Sequence, residues 1–245
     1  MTLAPAEPSP APAAQIVPAV RAIGLGVEFD DRPVLRGIDL EVAQGQAVAL
    51  LGVNGAGKST LLRCLATLLP CTGRLFLFGA RAAGDTAALR RRIGLIAHQS
   101  MLYRDLSPRE NLVFFGRLYG LAAPACRADE LLELVGLTAR AGDPVRTLSR
   151  GMTQRVAIAR AMMHQPDLLL ADEPFEGLDA PSTQAVQSLL AHLAGQGHTV
   201  IFSSHDCRQA LDLASRLLVL RKGRLAVDQP ARGLSEPEVL KEITA

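Results

Sequence analysis

The residues best suited to chemistry lie in the segment 52–60, whose sequence GVNGAGKST fits the pattern GxxxxGK[ST]. Glycines at this spacing let backbone N–H groups converge on phosphate oxygens without interference from Cβ atoms. Lys58 is expected to reach the β- and γ-phosphates of ATP, and the Ser59 hydroxyl is expected to ligate Mg²⁺. Thr60 is expected to support the α-phosphate. The predicted nucleotide-binding residues of this phosphate loop are Gly52, Val53, Asn54, Gly55, Ala56, Gly57, Lys58, Ser59 and Thr60.

A glycine-rich turn that binds nothing is the alternative interpretation of such a segment. The apolar run before Gly52 predicts a strand, and the spacing of apolar residues after Lys58 predicts a helix. A phosphate loop needs this strand–loop–helix context, because the helix presents the positive end of its dipole to the anion. The full pattern in this context favours nucleotide binding.

Two adjacent carboxylates, Asp172 and Glu173, follow the apolar run Leu168–Ala171. A central strand with this pattern brings its acidic end next to the phosphate loop. Asp172 is predicted to hold Mg²⁺ through water, and Glu173 to polarise the attacking water as a general base. An acidic loop after a core strand is ordinary when it stands alone. Together with the phosphate loop, the pair predicts hydrolysis.

The elements that must position these groups can be predicted from apolar patterns and turn residues. Residues 58–69 are predicted as a helix ended by Pro70, and residues 107–163 show helical periodicity. A hairpin is predicted to turn at Lys222-Gly223. The predicted strands are 22–29, 37–42 (with 30–33 as the turn between these two), 46–51, 74–78, 93–97, 167–171 and 199–203. These elements indicate an α/β core with a helical insertion of roughly 60 residues.

Composition limits the function classes. Hydrophobic residues make up 49% of the 245 residues and the net charge is +2, which argues against a nucleic-acid binder with a broad basic field. No run reaches the roughly 18 apolar residues of a membrane span. Residues 1–20 are rich in Pro and Ala and lack Lys and Arg, which predicts a disordered tail and no secretory signal. The four scattered cysteines predict free thiols and a cytoplasmic setting.

The two motifs and the residues around them resemble the ABC ATPase family over about 21–228. The resemblance implies a P-loop NTPase core with a mixed sheet flanked by helices, an antiparallel β subdomain, and an inserted α-helical subdomain at about 100–163. The ATPase domain is then expected at 21–235, with a short tail at 236–245. Phe29 matches the aromatic residue that stacks on adenine, and Gln99 matches the Q-loop glutamine that senses Mg²⁺ or water.

The remaining matches imply a second cassette. Ser149 and Gly151 occupy the family's signature motif, here LSRGM where LSGGQ is commoner, and Asp179 in Gly-Leu-Asp matches the D-loop. His205 matches the switch histidine, which would hold the γ-phosphate and the attacking water. In the family, the signature of one cassette covers the ATP held by the phosphate loop of another, and the D-loop couples the two sites. A head-to-tail homodimer with two ATP sites is therefore expected.

The resemblance also implies an integral membrane transporter subunit, which would place the chain at the cytoplasmic face of the membrane. A groove beside Gln99, with residues 101–109, is expected to receive a helix of that subunit. The segments 144–162 and 172–180, with the helix at 110–121, resemble exporter-type cassettes. Among these, the LSRGM form and its neighbours resemble the heme exporters used in cytochrome c maturation. Two alternatives are a soluble single-cassette ATPase of iron–sulfur cluster assembly and a non-catalytic or DNA-associated ABC protein. The latter class usually has two cassettes or long coiled-coil insertions, and neither is found here.

Overall fold

The structure is a computed structural model and describes residues 17–244. Its strands are β1 Val20–Phe29, β2 Arg32–Val42, β3 Ala47–Leu51, β4 Thr72–Leu77, β5 Ala80–Arg81, β6 Ile93–Ile96, β7 Leu168–Ala171, β8 Thr199–Ser204, β9 Arg216–Arg221 and β10 Arg224–Pro230. Its α-helices are α1 Lys58–Leu65, α2 Ala87–Arg90, α3 Pro108–Leu118, α4 Pro124–Leu134, α5 Arg150–Ala161, α6 Ala180–Gly195, α7 Cys207–Leu213 and α8 Glu236–Thr244. The α/β class predicted from the sequence is confirmed.

A six-stranded sheet of order β10-β9-β3-β8-β7-β6 forms the centre of the fold. Its strands run parallel except for β10, which pairs antiparallel with β9 across the predicted hairpin turn. Side chains alternate between two cores: Val48 and Leu50 of β3 face one side, and Ala49 and Leu51 face the other. Because both faces are covered, β3 consists only of buried residues, as expected for a central parallel strand.

A second, antiparallel sheet of order β2-β1-β4-β5 covers one face, with α1 packed between the two sheets in the same core. The predicted turn between β1 and β2 is too long. Only Asp30 and Asp31 form it, both with left-handed φ angles of 48° and 60°, while Pro33 already pairs with β1. Pro33 is tolerated because β2 is an edge strand of this sheet.

Helix α1 ends at Leu65, four residues before the predicted end. Thr67 adopts a left-handed φ of 57°, and the N–H of Leu68 then bonds to the carbonyl of Arg63 at 2.9 Å. This closing arrangement satisfies the last carbonyls of the helix. The helix is therefore stopped by its own C-terminal cap and does not continue to Pro70.

The insertion between β6 and β7 holds α3, α4 and α5. Helix α3 begins with a capping box, in which the Ser107 side chain accepts a hydrogen bond from the N–H of Glu110 and the Glu110 carboxylate accepts one from the N–H of Ser107. The helical periodicity of 107–163 is not continuous, because residues 135–149 form only short 3₁₀ turns and loops. Helix α5 carries its buried face to the central sheet, where Val156, Ile158 and Ala159 join the core.

Both ends of the described chain pack against the fold. Residues 1–16 of the predicted tail at 1–20 lie outside the described residues. The end of the predicted tail is wrong, because Ala19 and Val20 are fully buried. The residues expected as a short C-terminal tail form α8, which buries Val239 and Ile243 in the core. Within residues 17–244, no helix is long and apolar enough to cross a membrane.

Candidate functional site

The phosphate loop connects the end of β3 to the start of α1, as predicted. Gly57 has a φ of 107°, and a Cβ there would lie 2.9 Å from Leu35 Cδ2, so this position requires glycine. The first main-chain bond of α1 runs from the N–H of Leu61 to the carbonyl of Gly57 at 2.9 Å. Within residues 17–244, the N–H groups of the preceding helical residues, 58–60, therefore have no main-chain acceptor. These free donors at the positive end of a helix form a cradle for phosphate oxygens.

A cavity of about 360 Å³ opens at this loop. It is lined by Val34, Asn54, Gly55, Ala56, Gly57, Lys58, Ser59, Thr60 and Glu173. Seven of the nine predicted phosphate-loop residues thus line one cavity. Gly52 lies beneath them, where a Cβ would overlap the carbonyl oxygen of Leu220.

Lys58 is the cation of the site and is only 6% exposed. Its Nζ donates a hydrogen bond to the carbonyl of Gly52 at 2.7 Å and lies 3.3 Å from Glu173 Oε1. An ammonium group has three donors, and these two partners, with a longer contact of 3.5 Å to the carbonyl of Val53, fix its position at the edge of the cavity. The side chain can therefore exchange its carboxylate partner for a phosphate oxygen without changing its own place.

Asp172 and Glu173 emerge at the carboxyl end of β7, next to the phosphate loop. Asp172 is 7% exposed, and its Oδ1 accepts hydrogen bonds from the Ser59 hydroxyl at 3.0 Å and from the Ser203 hydroxyl at 2.8 Å. Glu173 is 15% exposed and has a left-handed φ of 49°. Its N–H donates to Ser203 Oγ at 2.8 Å.

His205 follows β8 and completes this group. Its Nδ1 lies 3.1 Å from Glu173 Oε2, while Glu173 Oε1 faces Lys58. One carboxylate thus bridges the buried lysine and the exposed histidine. The structure brings together the predicted catalytic residues, Lys58, Glu173 and His205, with two of the three predicted metal ligands, Ser59 and Asp172.

A magnesium ion fits the donors of this site. Within residues 17–244, no group of three or more His, Cys, Asp and Glu side chains is arranged to hold a metal by itself. Ser59 and Asp172 offer a hydroxyl and a carboxylate 3.0 Å apart. Mg²⁺ is usually held in this way, by one or two protein oxygens completed by phosphate oxygens and water. These residues therefore suit a metal that arrives with a nucleotide.

Gln99 and Phe29 are not among the residues that line the cavity. Gln99 follows β6, whose Ile96 is in register with Ala171 of β7, so both strands end at the same edge of the sheet. Its side chain is exposed and makes no hydrogen bond or ion pair within residues 17–244. Phe29 ends β1 with a 46% exposed ring.

The signature and D-loop residues form a separate pair of segments. Ser149 is the N-cap of α5 and accepts a hydrogen bond from the N–H of Met152 at 3.2 Å. Asp179 is the N-cap of α6, and its bonds with Ser182 lower the pKa of its carboxyl group. Gly151 is buried against α6, where a Cβ would overlap the Ser182 side chain. Within residues 17–244, no hydrogen bond or ion pair joins these segments to the phosphate loop.

Sequence reasoning missed Ser203 and the position of Arg150. Ser203 is completely buried and contacts both members of the acidic pair. The register Ala171↔Phe202 sets Asp172 opposite Ser203, so a correct strand alignment could have found it. The Arg150 guanidinium lies against Gly177, where a Cβ would overlap it. No sequence pattern indicated that contact.

The chain is similar in sequence and in fold to several known proteins. A family model described as ABC transporter matches residues 35–176, more than half of the chain. The linearmycin resistance ATP-binding protein LnrL of Bacillus subtilis is 36% identical over 80% of this chain and 64% of its own length. The daunorubicin resistance ATP-binding protein DrrA3 of Streptomyces coeruleorubidus is 38% identical over 87% and 68%. The aliphatic sulfonates import ATP-binding protein SsuB 3 of Nocardia farcinica is 44% identical over 85% and 79%.

The chain spans about two thirds of the length of the first two of these relatives. Among solved structures, CbiO1 of Clostridium perfringens, part of the CbiONQ complex, superposes with a TM-score of 0.83 at 26% identity, covering 93% of this chain and 94% of its own. The cassette MJ0796, a dimer in a post-hydrolysis state bound to ADP and phosphate, superposes with a TM-score of 0.79 at 28% identity, covering 88% and 100%. The family match, the phosphate loop and the acidic strand end together show that the chain belongs to the ABC transporter family, as an ATP-binding cassette.

Proposed function

We propose that this chain binds ATP with Mg²⁺ at the phosphate loop and hydrolyses it to drive transport. The observation that carries the proposal is the single connected group of Lys58, Glu173 and His205 beside free backbone donors of the loop. The donors and Lys58 would hold the β- and γ-phosphates. Thr60 would support the α-phosphate, and Phe29 would stack on adenine.

The hydrolytic step is assigned to Glu173. Its carboxylate is the proton acceptor nearest the cavity and can polarise a water molecule for attack on the γ-phosphate. His205 would hold that water and the γ-phosphate. Bound Mg²⁺ would neutralise charge on the phosphates, and Ser59, Asp172 (through water) and Gln99 would hold it.

The complete site is proposed to need two chains. Ser149, Gly151 and Asp179 are grouped away from the phosphate loop of their own chain. In a head-to-tail dimer they would cover the ATP of a second copy, with free backbone donors at the start of α5 directed at its γ-phosphate. The dimeric state of MJ0796 supports this arrangement. ATP binding would close the dimer and hydrolysis would reopen it.

A membrane subunit is the second proposed partner, which places the chain at the cytoplasmic face of a membrane. A groove of about 450 Å³ lies between the residues that follow α1, helix α2 and the helical insertion. Its apolar surface includes Leu68 and Met101, both of which are exposed, and Arg90 and Arg91 stand at its edge. A short amphipathic helix of a membrane protein would fit this groove.

Export is the proposed direction of transport. The relatives named for antibiotic resistance support it, whereas SsuB 3 is named for import. Heme export for cytochrome c maturation is the finer proposal and rests on the LSRGM form, since none of the relatives named above has a heme or cytochrome name. Those relatives also give no support to iron–sulfur cluster assembly. Identifying the membrane protein that co-purifies with the chain tests the transported substrate.

Purified protein tests the central proposal. Wild type should release phosphate from ATP in the presence of Mg²⁺ and bind ATP by equilibrium titration. Lys58→Ala should abolish phosphate release and weaken ATP binding, because the cavity loses its only lysine. Lys241→Ala, which removes an exposed lysine from α8, should leave both unchanged. Equal activity of the two variants would refute the assignment of this cavity.

A further inference from the structure

Ser203 is a buried polar residue at the centre of the acidic strand end. It belongs to β8, which runs parallel to β7 with Phe202 in register with Ala171. Its relative exposure is 0%, so its hydroxyl must find all its partners within the protein. Both partners belong to the proposed catalytic pair, Asp172 and Glu173.

The Ser203 hydroxyl makes two hydrogen bonds of opposite sense. It donates to Asp172 Oδ1 at 2.8 Å and accepts from the N–H of Glu173 at 2.8 Å. Since a hydroxyl has one donor, the accepted bond leaves that donor directed at Asp172. The orientation of the carboxylate and the path of the backbone after it are therefore fixed by one atom.

The bond to Asp172 determines which carboxylate oxygen is free. Ser59 also donates to Oδ1, at 3.0 Å, so both hydroxyls converge on the same oxygen. Oδ2 accepts no hydrogen bond from the described part of the chain. That oxygen is left for a water molecule of the metal site proposed above.

The bond to the Glu173 N–H fixes the proposed base. The backbone of Glu173 has a left-handed φ of 49°. A residue other than glycine adopts this conformation only when its surroundings impose it. The hydrogen bond from its N–H to Ser203 holds this turn at the end of β7. This backbone turn directs the Glu173 carboxylate to a place between Lys58 and His205.

The neighbouring hydroxyl has a different use. Ser204 Oγ accepts from the N–H of Asp206 at 2.9 Å and contacts Gln209, both at the start of α7. It makes no hydrogen bond with Asp172 or Glu173 within residues 17–244. Of these two adjacent serines in the described part of the chain, it is Ser203 that bonds to the acidic pair.

We propose that Ser203 is a positioning residue that sets the metal-binding oxygen of Asp172 and the direction of Glu173 through one shared hydroxyl. This inference rests on the proposed function of the two acids. Ser203 itself touches neither substrate nor metal. Its loss should weaken the use of Mg²⁺ and slow hydrolysis, with nucleotide binding in the absence of metal unchanged.

Ser203→Ala is the decisive variant. Groups that orient metal ligands typically contribute a factor of about 10–100 to metal affinity or activity. Ser203→Ala should therefore lower kcat by roughly this factor and reduce by a similar factor the gain in nucleotide affinity that Mg²⁺ provides. Ser203→Thr keeps the hydroxyl and should restore most of both quantities.

Thr199→Val is the matched control. Thr199 lies on the same strand, is buried, and uses its hydroxyl to accept the N–H of Gly45 at 3.0 Å, away from the acids. Its replacement should lower thermal stability without changing the effect of Mg²⁺. Ser203→Ala and Thr199→Val should both bind ATP in EDTA as wild type does, which also verifies that the two variants are folded.

The inference would be overturned by any of three results. Ser203→Ala could match wild type in kcat and in the Mg²⁺ gain, Thr199→Val could lose both quantities as strongly as Ser203→Ala does, or Ser203→Ala could lose affinity equally with and without Mg²⁺. The affinity for ATP with and without Mg²⁺ can be measured on a protein that does not hydrolyse ATP. A wild type that bound Mg²⁺-ATP without hydrolysing it would therefore refute the proposed hydrolysis while the test of Ser203 still gave its answer.

Discussion

Replacing Glu173 by glutamine distinguishes two roles that the contacts of Glu173 allow, that of a general base and that of a counter-charge for Lys58. Its carboxylate lies 3.3 Å from Lys58 Nζ and 3.1 Å from His205 Nδ1. It could serve as a base, as we propose, or only as the counter-charge of a buried lysine. Glutamine keeps the shape of the side chain, but one of the two accepting oxygens becomes an NH2 group that donates, and the side chain cannot accept a proton at neutral pH. The variant therefore removes the base while preserving the packing.

The expected magnitudes differ for the two roles. A positioned general base contributes a factor of roughly 10²–10⁴, so kcat of Glu173→Gln should fall by that amount. ATP affinity should stay equal or increase, because Lys58 loses the carboxylate that competes with a phosphate oxygen. A residue that acted only as counter-charge would leave kcat close to wild type once ATP is saturating.

Phosphate release and equilibrium ATP binding measure these two quantities. Glu176→Gln is the matched control, since Glu176 is exposed and pairs with His98 at 3.1 Å outside the cavity. With ATP, Glu173→Gln should also accumulate as a dimer by light scattering, because closure is retained and hydrolysis is not. A kcat within about threefold of wild type would refute the role of Glu173 as base.

Two further predictions concern the signature segment and the pH dependence of stability. Gly151→Ala should lower ATPase activity and thermal stability, because its Cβ would overlap Ser182; Gly142→Ala, whose Cβ meets no atom within 4 Å, should change neither. Burial lowers the pKa of His164, which stacks on Tyr119 with 4.0 Å between ring centroids. The unfolded chain then binds a proton more readily, so the free energy of unfolding should fall as pH drops from about 7.5 to about 5.5. His164→Gln should reduce this slope in urea unfolding, and an unchanged slope would contradict the reasoning.

The functional residues that lie close together in the sequence could be predicted from the sequence alone. The phosphate loop and the acidic pair each lie within one segment, and each follows a strand made of consecutive apolar residues. Parallel strands of one sheet end at the same edge, so the meeting of Lys58 with Glu173 followed from the order of elements. Helix ends were predicted less well. The end of α1 is set by the left-handed Thr67, and nothing in the composition of the segment indicated that conformation.

Contacts between distant segments could not be predicted, because they depend on register and on the direction of single side chains. Ser203 meets Asp172 only through the exact alignment of β8 with β7, where a shift of one residue would turn its hydroxyl to the opposite face. The buried Ala19 and Val20 were assigned to a tail for a similar reason. Their composition continues that of the preceding residues, while their burial comes from pairing with β2 and β4.

The unusual arginine of the signature is explained by such a distant contact. The family's commoner motif has glycine where this chain has Arg150, at the first position of α5. Its guanidinium occupies the space beside Gly177, which has a φ of 67° and no side chain. Gly151 likewise lies directly against Ser182 of α6. The signature and the D-loop therefore fit each other within one chain, and the larger residue in one segment is accommodated by the smallest residue in the other. The turn that leads to Gly177 also bonds back to the site, because the N–H of Glu176 donates to the carbonyl of Glu173 at 3.1 Å. The D-loop segment therefore connects the signature of its own chain to the proposed base.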